Sequence, residues 1–243
     1  MLASVVFVPS APLLVPALAG PDAMDTEPVR AATLAVGREL AGAATTWVAI
    51  GARDPASTQV GRAGTFAAYG VDVPVTLDGA EFRGTGPGLP LSMLIAGWVR
   101  AEAGTGGVEP VTVEPVTVAP DASPADCAAV GSQLRERVDG DSTPVGVLVV
   151  ADGSTALSAR APGGGLRPEA VELQQRIDEA IGSADTAALA ELTVDDCAAA
   201  GVGGRPAWQV AAELCAGRTL NTQVTYRAAP FGVGYVVASW TPR

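Results

Sequence analysis

The run Val145-Gly146-Val147-Leu148-Val149-Val150-Ala151 contains no polar side chain. A strand with one wet face alternates apolar and polar residues, so an unbroken apolar run of this length belongs to a strand covered on both sides. Such a strand demands two covering layers, and the chain supplies them: short β-branched runs alternate with longer Ala-rich segments of helical spacing. Residues 2–8 (LASVVFV) and 46–51 (TWVAIG) read as two further strands. Residues 71–77 (VDVPVTL) read as a strand that Pro74 confines to an edge or a bulge, and residues 108–118, which contain EPVTV twice, as an interrupted edge strand or connection. Residues 223–227 and 232–239 close the set, joined across Ala-Ala-Pro-Phe.

The covering segments carry their own signals. Pro28 suits the first turn of a helix that runs to about residue 42. Leu91, Leu94, Ile95 and Trp98, spaced at three and four, mark the buried face of a helix over 89–103. Ser123-Pro124-Ala125-Asp126 supplies an N-cap, a proline at the first helical position and an acid at the third. Residues 168–217 are helical throughout, with breaks near Gly182 and over 200–204. The order predicts an α/β fold, an α/β/α sandwich around a mostly buried mixed sheet. No composition shift or linker divides the 243 residues, so one domain spanning 1–243 is expected.

Two missing residue types narrow the chemistry. The chain has no His, and all 15 of its basic residues are Arg. Without His there is no Ser-His-Asp or Cys-His pair and no imidazole ligand; without Lys there is no Walker P-loop or Schiff base. The net charge of −11, with no Arg-dense stretch against it, argues against nucleic acid as a partner. Cys127, Cys197 and Cys215 lack C-x-x-C spacing and sit in helical segments, which reads as buried free thiols. Residues 1–20 lack a basic n-region and carry Pro9, Pro12 and Pro16, which break the apolar helix of a signal peptide. No run reaches the ~18 apolar residues of a membrane span. A cytoplasmic protein with no membrane partner is expected.

The strand ends carry the motifs. Val8-Pro9-Ser10-Ala11-Pro12-Leu13-Leu14 is similar to the Pro-His-x-Pro-Leu-Leu of the metal-binding subunit of the class III extradiol ring-cleavage dioxygenases and of the related Memo proteins. Ile50-Gly51-Ala52-Arg53-Asp54-Pro55 resembles their Ser-Pro-His-x-Pro, and Ala151-Asp152-Gly153-Ser154-Thr155 their Gly-Asp-Leu-Ser-His. Gly203-Gly204-Arg205-Pro206 resembles the Gly-x-Arg-Pro after their metal-binding Glu, and Ala229-Pro230-Phe231-Gly232-Val233-Gly234-Tyr235 resembles their ending. The resemblance spans nearly the whole chain and implies the family fold. In the family, two His and a Glu hold Fe(II) or another divalent metal, and another His serves as acid-base catalyst. Here the ligand positions fall on Ser10, Arg53 and Gly201 or Val202, and the catalytic one on Thr155. Neither an iron cofactor nor ring cleavage is therefore expected. The chain reads as a degenerate, non-catalytic homologue that binds a small anionic or aromatic ligand, or a protein partner that includes a second copy.

Ligands of open α/β sheets bind beyond the carboxyl ends of strands. The ligand-binding candidates there are Ser10, Arg53, Asp54, Asp152, Ser154 and, from the helical region, Arg205. Arg53 admits two readings: a clamp for a carboxylate or phosphate, or a plug paired with Asp152 or Asp54, which the cost of burying a lone cation favours. The alternative function is an enzyme of different chemistry, hydrolytic or Mg²⁺-dependent, built on Asp54, Asp152, Ser10 or Ser154, with Thr155 a further catalytic candidate. Gly163-Gly164-Gly165 reads as a loop, because no strand precedes it and no Lys follows. Trp98 and Trp208 read as core.

Overall fold

The apolar run forms β6 (Val145–Val150), every residue of which is buried. It lies between β1 (Leu2–Val8) and β2 (Thr46–Ala52) and is parallel to both. β5 (Thr112–Val118) adds a parallel strand outside β2. On the other side β8 (Tyr235–Pro242) pairs antiparallel with β1, and β7 (Leu220–Ala228) pairs antiparallel with β8. The result is a six-stranded mixed sheet in the order β5-β2-β6-β1-β8-β7. These relations come from a computed structural model, which describes residues 1–20, 23–53, 60–82, 84, 88–104 and 109–243.

Helices cover both faces, so the fold is an α/β sandwich. On one side lie α2 (Glu27–Ala43) and α3 (Leu91–Ala103), with the single-turn α1 (Pro16–Ala19) beside them. Their apolar faces meet Val6, Val8, Ala49, Leu148 and Val150 of the sheet. The other side carries α4 (Pro124–Gly140), α5 (Pro168–Ser183) and α8 (Arg205–Cys215), with the short α6 (Thr186–Ala190) and α7 (Val194–Ala199) between the last two. Here Trp208 and Trp240 pack with Phe7, Ile50, Val147 and Val149. The alternation of each strand divides its residues between these two cores. Each fully buried large side chain stabilises the fold by ~1.5–3 kcal/mol. The indole N–H of Trp240 is satisfied by the Ile181 carbonyl at 2.7 Å.

Several local expectations hold in detail. Ser123 and Asp126 form a reciprocal capping box at the start of α4, and Trp98 and Trp208 are core. All three cysteines are buried and free. The twice-interrupted segment is the edge strand β5, with Pro115 inside it. One strand differs. Within residues 71–77 only β4 (Pro74–Thr76) is extended, and it pairs with β3 (Ala63–Thr65) in a separate two-stranded ribbon. Pro74 cannot donate to a ladder, and the short partner shields the remainder without entering the main sheet. Helix α5 runs through Gly182 to Ser183 and stops at Ala184, which takes the left-handed conformation at φ 53°. Among the described residues no helix is long and apolar enough to cross a membrane.

Candidate functional site

The three parallel strands β2, β6 and β1 all point their carboxyl ends at one edge of the sandwich, where ligands of such sheets bind. Val8 of β1 and Gly51 of β2 both align with Val150 of β6. Two residues further along each chain, Ser10, Asp152 and Arg53 follow in one row. The row has a fourth member. Phe7 faces Ala238 across the antiparallel β1–β8 pair, and Gly234 exchanges backbone hydrogen bonds with Gly153 and Ser154, which brings Tyr235 to Asp152. Tyr235, in β8, lies on the side of Val8, Ala49, Val150 and Val237, which face the α2 and α3 layer.

The members of this row are unevenly satisfied. Asp152 Oδ1 accepts the backbone N–H of Ser10 at 2.8 Å, which ties the β6 end to the β1 end. Burial pushes the Asp152 carboxyl up to about 7, against the single Ser10 N–H that favours its charged form. Tyr235 is buried, and its phenol is held above the usual range by burial first, then by the charges of Asp152 and Tyr226. The Arg53 backbone N–H donates to the Val118 carbonyl at 3.0 Å, which fixes the β2 end against β5. Its Nε is buried and has no hydrogen-bond partner among the described residues.

The expected pairing of Arg53 with Asp152 is absent: the two make no ion pair within 4.0 Å. Asp54, the other expected partner and a candidate in its own right, lies outside the described residues.

Three further candidates point elsewhere. Ser154 is fully buried; its hydroxyl donates to the Ala200 carbonyl at 2.6 Å, and its N–H donates to Gln174 Oε1 at 2.8 Å. Thr155 is half-buried, and a Cβ added at Gly163 or at Gly201 would meet its Oγ1 at 2.5 or 2.3 Å. Arg205 is 1% exposed and donates to Gln209 Oε1, the Pro120 carbonyl and the Ala122 carbonyl at 2.6, 3.2 and 2.6 Å. It staples the start of α8 to the loop after β5 instead of joining the row. What the Gly204-Arg205 turn brings to the strand ends is backbone: the Gly204 N–H donates to the Asp152 carbonyl at 2.9 Å. A Cβ there would sit 2.6 Å from both that oxygen and Trp208 Cζ2, so only Gly allows the approach.

A divalent metal does not fit the row. The side chains available are a hydroxyl, a guanidinium, a phenol and one carboxyl; the guanidinium keeps its proton and is never a ligand. Gly201 and Val202 offer no donor side chain. Among the described residues no three His, Cys, Asp or Glu side chains converge.

The chain is similar in structure to uncharacterized protein JW3007 from Escherichia coli K12, at 11% identity and a TM-score of 0.46 over 98% of this chain and 99% of that one. No protein-family model and no curated protein matches it.

Two site residues escape a reading of the sequence. Tyr235 enters the sequence reading only as the last residue of the closing motif; its nearness to Asp152 follows from the backbone bonds of Gly234 to Gly153 and Ser154. Gln174 sits on the buried face of α5, where it accepts the Ser154 N–H and donates to Asp178 Oδ1 at 2.7 Å. The one sequence signal for Gln174 is a polar residue on an otherwise apolar helical stripe.

Proposed function

We propose that this chain is a binding protein, a relative of the class III extradiol dioxygenase fold that does not cleave rings, and that its strand-end row holds a small carboxylate against Arg53. The observation that carries this reading is the buried Arg53 Nε without a partner among the described residues, just beyond the end of β2 and on the same sheet edge as Ser10 and Asp152. A guanidinium presents parallel N–H donors that match a carboxylate fork, and a buried donor left unmade costs ~1–3 kcal/mol, so an incoming anion is favoured. Free buried thiols suit a reducing compartment, which supports a cytoplasmic location.

Titration calorimetry with acetate and benzoate tests the reading. Wild type should bind at least one of them, and Arg53→Ala should weaken that binding about tenfold or more with its circular dichroism spectrum unchanged. Equal binding by both proteins, or binding by neither, overturns it. A second reading rests on Asp152, which titrates at about 7 and so matches a general base for hydrolysis near neutral pH. Loss of p-nitrophenyl acetate turnover in Asp152→Asn would support it; wild type indistinguishable from buffer would remove it.

A further inference from the structure

The two edges of the main sheet are guarded differently. β5 carries Pro115, which has no N–H to offer a further strand, and Glu114, which is paired with Arg137. β7, at the other edge, runs for nine residues without a proline or an acid, and among the described residues no strand pairs with its outer side. Its ladder with β8 sets Thr222 against Trp240 and Val224 against Ala238. Directly opposed residues of a ladder share a face, and Trp240 and Ala238 belong to the core that includes Ile177 and Ile181 of α5. Leu220, Thr222 and Val224 therefore lie on the α5 side of the sheet, and Asn221 and Gln223 on the other. Val224 is 40% exposed and lines an open groove of about 640 Å³ between β7 and α5. A bare edge of this kind is a template for another strand.

We propose that β7 is a dimer interface: residues 220–224 pair antiparallel with the same residues of a second copy, about a two-fold axis at Thr222, and join the two six-stranded sheets into one. The occupant follows from the sequence of the strand. In this register Thr222 meets Thr222, Leu220 meets Val224 and Asn221 meets Gln223. Hydroxyl thus faces hydroxyl, apolar faces apolar and amide faces amide on every rung. A slip by one residue would set Val224 against Asn221 and lose the match. The chain has a net charge of −11, yet residues 220–224 carry no charge, so two copies meet here without like charges opposed. The register shift between Val224 and Tyr226 breaks the regular ladder and sets the end of the paired stretch. A closed two-fold contact uses the same patch on both copies and leaves no β7 edge open to a third.

Sedimentation velocity tests the inference. Wild type should sediment as a dimer at about 200 µM and shift toward monomer on dilution. Thr222 is exposed, so a charge placed there leaves the core untouched. Thr222→Asp and Thr222→Arg each oppose two like charges on the axis and should be monomeric at the same concentration, with circular dichroism spectra like that of wild type. Mixed in equal amounts, the two variants should form a dimer again, because each pair then carries opposite charges. Thr222→Cys should be joined to its copy by a short bis-maleimide, which reads the same register without a charge. A wild type that stays monomeric overturns the inference, and capture of an extended peptide of another protein by that monomer would assign the edge to a different partner. A dimer that survives both charged variants, a mixture that stays monomeric, or a Thr222→Cys dimer that does not cross-link overturns it as well.

Discussion

At the carboxyl edge of the sheet the two faces treat their polar groups in opposite ways. Toward α4, α5 and α8, the side chains of Arg205, Gln209, Ser154 and Gln174 form a network, although Arg167 Nε at the start of α5 is, like Arg53 Nε, buried without a partner among the described residues. Arg205 meets three acceptors, Gln209 bridges to the Ala190 and Leu192 carbonyls, and Ser154 and Gln174 satisfy each other and their neighbours. Toward α2 and α3, Arg53 Nε is left open among the described residues and Asp152 has one N–H donor for its carboxyl. Unmade hydrogen bonds cost stability, so a fold keeps them where something other than the fold completes them. The first face reads as scaffold, and the second is where the proposed carboxylate site lies.

Replacement of Arg205 probes the closed side most severely. Arg205→Ala strands the Gln209 Oε1 and two carbonyls beside a new cavity, and should cost about 3–5 kcal/mol by urea unfolding. A loss under about 1 kcal/mol would erase the contrast.

Asp152→Asn should act with the other sign. The Asp152 carboxyl moves from 3.8 in the unfolded chain to about 7 in the folded one. The folded state therefore holds more protons between about pH 4 and 7, and stability falls as pH rises through that interval. Asn removes the penalty. The variant should be more stable than wild type at pH 8 by about 1–3 kcal/mol, the linkage value reduced for the accessible part of the side chain, and show no gain at pH 4. A gain at both pH values, or at neither, would mean that burial does not govern this carboxyl.

Smallest is the effect expected for Arg53→Ala. With no ion pair to Asp152, lost side-chain packing and relief of the unmade Nε donor act in opposite directions, so its stability should change by about 0.5 kcal/mol or less, and the double variant with Asp152→Asn should be additive within about 0.5 kcal/mol. Coupling above about 1 kcal/mol would restore the plug and close the open face.

How much of this was readable beforehand follows from what each signal depends on. The buried strand β6 was legible because burial on both faces leaves a purely apolar run, and β5 because Pro115 belongs at an edge. Ser10, Arg53 and Asp152 were legible as a group because each follows the end of such a strand, and parallel neighbours bring their ends together. Ser154 and Arg205 are placed apart from the row for one reason: the direction of a polar side chain beyond a strand is set by partners distant in sequence. For Ser154 that partner is the Ala200 carbonyl, and for Arg205 the carbonyls of Pro120 and Ala122. Local composition holds no record of these, and neither does it show Tyr235 close to Asp152.

The pairing of β1 with β8 also orders events during synthesis. β1 leaves the ribosome first among the strands and β8 last, yet Val5, Val6 and Phe7 are bonded to Trp240, Ser239 and Ala238. β1 and β6 can meet once β6 emerges, but the flank of β1 stays bare until the end of the strand order. At ~5–20 residues per second that wait lasts on the order of ten seconds or more. During it an apolar strand with an open edge is exposed to other chains, and the row is incomplete without Tyr235. The sheet thus closes only when β8 docks on β1, which makes the β1–β8 pairing a late step in folding.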